Sequence, residues 1–173
     1  MTHRKTTSRW LASMVASALA VPLVGAAVFA VPAVADAAVT KATCQVHAVL
    51  ASKEGDGTIP ADLEFLRSTL ANDEFAAYKS FTLLEKKSLK LALDTKGEST
   101  FGSGHKLGLT LLGGDDTRLK LQLDLSNRDG TKSLVSTAYS IEDNGLLMIG
   151  AGAFTDASRS GKLFFAIQCA RAG

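Results

Sequence analysis

From Asp94 to its end the chain repeats one device, a short run of alternating apolar residues closed by residues that suit tight turns. Lys96-Gly97, Gly102-Ser103-Gly104, Gly113-Gly114-Asp115-Asp116, Asp129-Gly130 and Asn144-Gly145 punctuate the sequence. Glycine, asparagine and aspartate tolerate the positive φ that hairpin turns require, and Asp-Gly or Asn-Gly between apolar runs is the strongest short-range hairpin signal. The runs between them are Glu98–Phe101, Lys106–Leu112, Thr117–Ser126, Lys132–Ile141, Leu146–Ala151 and Gly161–Cys169. In the third, Leu119, Leu121, Leu123 and Leu125 alternate with Lys120, Gln122 and Asp124. That period of two belongs to a strand with one buried and one wet face. Short turns between neighbours imply an antiparallel meander. Leu146-Leu147-Met148-Ile149 and Leu163-Phe164-Phe165-Ala166-Ile167 are apolar on both faces. Such strands are expected in the middle of a sheet, covered on both sides. The connection between them, about Gly152 to Ser160, reads as the longest loop of the hairpin region.

The first half of the chain is less repetitive. Thr43–Ser52 reads as a strand, and Lys53–Thr58 as a polar loop with two glycines. Pro60 suits the first turn of a helix, where its missing N–H costs nothing. Ile59, Leu63, Leu66 and Leu70 then form one apolar stripe, with Asp62 and Glu64 in the first turn where the helix dipole favours them. These residues predict a helix over 60–71, with Phe65 off the stripe as a second packing contact. Asn72 could cap a short second helix through Tyr78. Ser80–Glu85 reads as a strand, Lys86-Lys87 as a turn, and Leu89, Leu91 and Leu93 as the next strand. The fold class expected is mainly β with one helix: an antiparallel meander forming a β sandwich or curled sheet, with the helix packed on one face.

The first 37 residues read as a secretory signal peptide. Arg4, Lys5 and Arg9 precede an apolar run from Leu11 to about Ala33, and small residues line up at Ala33-Val34-Ala35-Asp36-Ala37-Ala38. Cleavage fits best after Ala37, with Ala35 as the alternative. Pro22, Gly25 and Pro32 interrupt the apolar run, which argues against an uncleaved anchor, and no twin-arginine pair is present. Lys41 stands where a lipid-attachment site before Cys44 would be apolar. The expectation is an exported periplasmic or extracellular protein, with a single domain over 38–173 and no membrane span in the mature form. Once Arg4, Lys5 and Arg9 leave, sixteen of the nineteen lysines and arginines remain, and sixteen of seventeen acidic residues remain after Asp36 leaves. The mature chain is then near neutral with interspersed charge, which leaves no electrostatic footprint for nucleic acid or an anionic membrane.

Export also decides the expected state of the two cysteines, Cys44 and Cys169, since two thiols in an oxidising compartment most often pair. Val46, Ala48 and Leu50 share a strand face with Cys44, and Leu163, Phe165 and Ile167 share one with Cys169. Both sulfurs therefore point into a core. Cys44 lies near the start of its strand and Cys169 at the end of its own. Side by side and parallel, the two would stand about 20 Å apart at some 3.3 Å per residue, against a Cα separation below about 7 Å for a disulfide. The first strand is thus expected antiparallel beside the last, unless the bond crosses between sheets.

Candidate chemistry is sparse. His47 lies in the first strand, opposite Cys44, and reads as a structural histidine. His105 follows Gly102-Ser103-Gly104 and reads as exposed at a hairpin tip. The nucleophile-elbow pattern would need glycine at Phe101 and at His105. Two separated histidines do not make a zinc site, and Asp115-Asp116 lacks the remaining ligands of a calcium loop. No cofactor or metal is expected. Phe154 and Arg159 are binding candidates because they lie in the long loop. The leading functional expectation is a non-enzymatic exported β domain that binds a protein or envelope component or helps assemble an envelope or extracellular structure. The alternatives are a small apolar-ligand carrier, with a cavity between sheet and helix, and a hydrolase with a non-standard site drawing on Asp56, Asp115, His47 or His105.

Overall fold

The computed structural model describes residues 38–172; the expected signal segment, 1–37, lies outside them. Eight strands follow in order: β1 (Lys41–Ser52), β2 (Ser80–Ala92), β3 (Lys96–Thr100), β4 (Lys106–Gly114), β5 (Arg118–Ser126), β6 (Ser133–Glu142), β7 (Leu146–Thr155) and β8 (Ser160–Arg171). They form two four-stranded antiparallel sheets. Sheet 1 has the order β2-β1-β8-β7 and sheet 2 the order β3-β4-β5-β6. The architecture is the mainly β fold with one helical segment that the sequence implies, as two sheets that do not close into a barrel.

The first strand lies antiparallel beside the last, with Cys44 directly opposite Cys169. The two are joined by a disulfide across a Cα separation of 4.0 Å. The Ala172 N–H donates to Lys41 O, so alternation along the register puts Cys44 and Cys169 at a position without ladder bonds between them. At such positions facing side chains come closest. Both cysteines are fully buried.

Two apolar layers hold the domain. Between the sheets lie Val46, Ala48 and Leu50 of β1, Leu107, Leu109 and Leu111 of β4, the four leucines of β5, and Leu163, Phe165 and Ile167 of β8. The other face of sheet 1 presents Val49, Ala51, Phe164 and Ala166, covered by Leu63, Leu66, Leu70 and Phe75. The covering helix is tighter than its periodicity suggests: a 3-10 segment over Ala61–Leu66 runs into a single α-helical turn, α1 (Arg67–Leu70). A 3-10 turn eclipses residues three apart, which stacks Leu63 over Leu66. A second 3-10 turn, Asp73–Phe75, carries the chain onward to β2.

Four expectations change in the fold. Lys86-Lys87 is not a turn: β2 runs straight through it, pairing Lys86 with His47 and Lys87 with Val46. Neither lysine favours positive φ, and the length of β1 supplies ladder partners throughout. Lys96-Gly97 lies inside β3, and the reversal falls at Asp94, whose φ is 54°. Gly97 is needed for closeness instead, since a Cβ there would come within 2.8 Å of Leu91 Cδ2. The expected long loop 152–160 is mostly strand: β7 extends to Thr155, with a register shift between Gly150 and Gly152. What remains is a tight turn at Asp156–Arg159, held by the Asp156 carboxylate. Finally, β8 is central and buried on both faces, but β7 is an edge strand with Leu146, Leu147 and Met148 only half-buried.

Candidate functional site

Three strands of sheet 1 outrun every strand of sheet 2: β1, β2 and β8 have 12, 13 and 12 residues and β7 has 10, against 5, 9, 9 and 10 in β3, β4, β5 and β6. At the end where β1 leaves the sheet and β2 enters it, the inner face of sheet 1 is left open. Leu50 faces the inter-sheet core, and its ladder partner is Thr82. By strand alternation Ser52 and its partner Ser80 share that face. A cleft of about 660 Å³ lies there, lined only by sheet 1 and its loops, including Ser52, Thr82, Tyr78, Ser158, Ser160 and Gly161. Lys53, Glu54, Arg159 and Lys162 also line it, the Lys162 side chain running to the helix-covered face over Phe164.

The walls are fixed by the backbone and by short side chains. Lys79 N–H donates to Ser52 O at 2.7 Å, Gly57 N–H to Lys79 O at 2.7 Å, and the Ser80 hydroxyl to Glu54 O at 2.8 Å. On the facing hairpin, Asp156 Oδ1 accepts the N–H groups of Ser158 at 2.9 Å and Arg159 at 2.8 Å. Its Oδ2 accepts Arg159 Nε at 3.0 Å and Nη2 at 2.7 Å. The Ser158 N–H foremost, with the guanidinium beside it, holds the Asp156 carboxyl down to about 2. Arg159 is thereby oriented rather than free to sweep solvent. Lys162 Nζ sits 5.0 Å from the centre of the Phe164 ring, a cation over an aromatic face. Hydroxyls that donate and accept, beside Lys53 and the Asp156-paired Arg159, suit a hydroxylated ligand that carries negative charge.

A second concavity, of about 350 Å³, opens between the start of β6 and the end of β7, lined by His105, Arg128, Leu134, Ala151, Ala153 and Phe154 among others. His105 is 5% exposed, not presented at a hairpin tip. Its turn curls inward because Gly104, at φ 85°, lets Phe101 N–H reach His105 O at 2.9 Å. Gly102 N–H donates to Glu85 Oε2 at 2.6 Å, which anchors the turn to β2. His105 Nδ1 lies 3.1 Å from Ser103 Oγ, both side chains buried. Burial foremost depresses the His105 pKa, and the nearby Arg128 adds to it against the Ser103 contact. A proton taken from Ser103 would create an imidazolium beside that cation, the opposite of what activates a serine.

His47 stands elsewhere, on the helix-covered face of sheet 1, its ring 4.6 Å from that of Phe65. Its Nδ1 is buried without a hydrogen-bond partner among the described residues. Burial and then Lys86 push its pKa down. Of the residues singled out in the sequence, the fold thus brings His105 and Phe154 to one cavity, puts Arg159 at the cleft, and leaves His47 apart. Asp56 and Asp115 cap their own loops, accepting Thr58 N–H at 2.8 Å and Thr117 N–H at 2.9 Å. No cluster of three His, Cys, Asp or Glu side chains able to hold a metal occurs among the described residues. The cleft residues Ser52, Ser80, Thr82 and Lys162 escaped sequence reading. Their one signal is polarity at alternate positions near strand ends, which an exposed strand end also shows.

No protein-family model matches the chain, and no curated protein matches it. Among solved structures, the cryo-EM structure of the T2SS secretin XcpQ from Pseudomonas aeruginosa is similar at 13% identity and a TM-score of 0.34, over 77% of this chain and 56% of that one. The chain therefore spans just over half the length of that structure.

Proposed function

We propose that this chain is an exported, non-enzymatic binding domain that acts in the cell envelope or outside it, and that the open end of sheet 1 is its binding site. The observation that carries this reading is the cleft itself: a concavity of about 660 Å³ on a disulfide-closed scaffold, hydroxyl-rich and bordered by Lys53 and Arg159. Its rigid walls spare a ligand the cost of ordering them. The ligand class is a hydroxylated anion, such as a unit of an envelope polysaccharide or polyol phosphate. The signal segment expected at 1–37 supports the compartment.

Amide chemical-shift titration with glucuronate, glycerol phosphate and neutral glucose tests the reading. The two anions are expected to perturb Ser52–Glu54, Ser80 and Ser158–Lys162 together, and glucose to do so more weakly. The double substitution Lys53→Gln/Arg159→Gln is expected to abolish the preference for the anions. Perturbation confined to other surfaces, or none at tens of millimolar, would overturn the site assignment.

A further inference from the structure

The two seams between the sheets are built differently. Along the β2/β3 seam the strands carry Glu85, Lys86, Lys87 and Lys90 on one side and Lys96 and Glu98 on the other. Side chains also bridge it: Lys87 Nζ donates to Thr100 O and Gly102 N–H to Glu85. Charged edges of this kind resist pairing with other chains. The β6/β7 seam has none of this. From Ser133 to Ile141, and from Leu146 to Thr155, no residue is charged. No ladder joins β6 to β7. Leu134, 37% exposed, and the half-buried Leu147 and Ala151 are set along it, while Leu146 and Met148 pack on the helix-covered face.

The direction of the unpaired backbone groups on β6 follows from one hydrogen bond. Asp143 N–H donates to Thr117 O, in register with the pairing of Leu119 with Ile141. Alternation turns the N–H and C=O groups of Val135, Thr137, Tyr139 and Ile141 toward β5, and those of Ser136, Ala138 and Ser140 away from it. β7 is a poorer template, because its register shift at Gly150/Gly152 breaks the row. β6 keeps one register from Val135 to Glu142.

We infer that the outer edge of β6 is a docking site for an uncharged, extended polypeptide segment, which adds as a further strand in the β6/β7 seam. A row of alternating donors and acceptors is matched by another extended backbone, and the lack of charge selects a neutral one. The seam is closed at one end by the Asp143–Gly145 turn and opens at the other onto the cavity of Leu134, Ala151, Ala153 and Phe154. A single strand can enter such a wedge, whereas a whole folded copy of the chain meets β7. The cavity gives the segment a pocket for one side chain, apolar along Leu134, Ala151, Ala153 and Phe154 and polar where Arg128, which lies over the Phe154 ring, and Asp129 line it. Main-chain pairing for affinity with a side-chain pocket for specificity is the arrangement of strand addition. This surface is separate from the cleft, and either can fail without the other.

The probe is a synthetic peptide of alternating threonine and valine with one central phenylalanine, acetylated and amidated, beside the same peptide N-methylated at alternate residues. Hydrogen exchange is read residue by residue on the intact chain. The unmethylated peptide is expected to slow exchange at Ser136, Ala138 and Ser140 at least tenfold, leaving Thr137 and Tyr139 unchanged, a period-two signature that unspecific contact does not give. Ala138→Pro removes only an outward N–H, so the ladder to β5 and the melting temperature are kept while protection is lost. Ala138→Lys is expected to weaken peptide binding at least tenfold. Protection without the alternation, equal binding of the N-methylated peptide, binding unchanged in both variants, or no binding at millimolar peptide would each overturn the inference. So would sedimentation showing that the edge is filled by a second copy.

Discussion

Opening the Cys44–Cys169 bond offers the sharpest energetic test of the fold. The bond links residues 125 apart in sequence, so it closes almost the whole domain into one loop. In the chain-entropy model, closing a loop of that length removes unfolded-state freedom equivalent to about 5 kcal/mol at 25 °C. Replacing both cysteines by alanine also removes two sulfurs from fully buried positions. The resulting voids add a cost on the order of 1 kcal/mol. Urea unfolding of the wild type against Cys44→Ala/Cys169→Ala should therefore show a loss of about 5–6 kcal/mol. The m-value should rise in the variant, because its unfolded chain is no longer held compact by the link. Such a loss is of the order of a domain's total stability, so the variant is expected to be partly unfolded at 37 °C. Because both cysteines are fully buried, dithiothreitol alone should leave the native protein unlabelled by a thiol reagent, and labelling should follow the urea transition. A loss under about 2 kcal/mol, or rapid labelling of the native protein, would refute the assignment of the bond as the closure of the fold.

Three further outcomes are expected. Leu66→Ala, under the helix–sheet contact, should cost about 3 kcal/mol in urea unfolding, because Leu66 is fully buried against sheet 1; a cost under about 1 kcal/mol would mean that the helical segment does not pack there. Gly161→Ala should destabilise by about 1–3 kcal/mol, since a Cβ there would meet Ala51 O at 2.3 Å, whereas Gly150→Ala, with nothing nearer than 3.5 Å, should be near neutral in the same melts. Acidification should act through the histidines: His47 and His105 both lie below their ordinary value of 6.5 because the fold buries them neutral. The unfolded chain then binds more protons, so their contribution is whole above pH 6.5 and is lost as pH falls through their folded values. The melting temperature should accordingly fall from pH 7.5 to 5.5, a window above the depressed carboxylates, and His47→Gln/His105→Gln should flatten that slope. A slope unchanged in the double variant would refute it.

The strands of this chain were legible because each sits between turn residues and carries its own period. Asn144 and Gly130 take positive φ where the sequence puts hairpin turns, and the four leucines of β5 are all buried. The cysteine pair carried topology as well: for neighbouring strands the positions of Cys44 and Cys169 admit only an antiparallel pairing, and the structure makes the two strands neighbours rather than members of different sheets. Where local signals misled, a partner strand decided. Lys86-Lys87 carries no hairpin geometry of its own, and the length of β1 draws it into a ladder; Gly152 looks like loop, and β8 keeps it paired.

The sequence by itself determined which residues alternate, the reversals at Gly102–Gly104, Gly113–Asp116, Asp129-Gly130 and Asn144-Gly145, and which two ends the cysteines can tie, because these depend on neighbours within a few residues or on one covalent bond. Only the tertiary structure decided that β7 is an edge, that His105 is buried, and that sheet 1 outruns sheet 2 to leave an open, hydroxyl-lined end. Those properties depend on which strands of the other sheet stand opposite, and an apolar run reads alike in the middle of a sheet and on an edge half-covered by its neighbours.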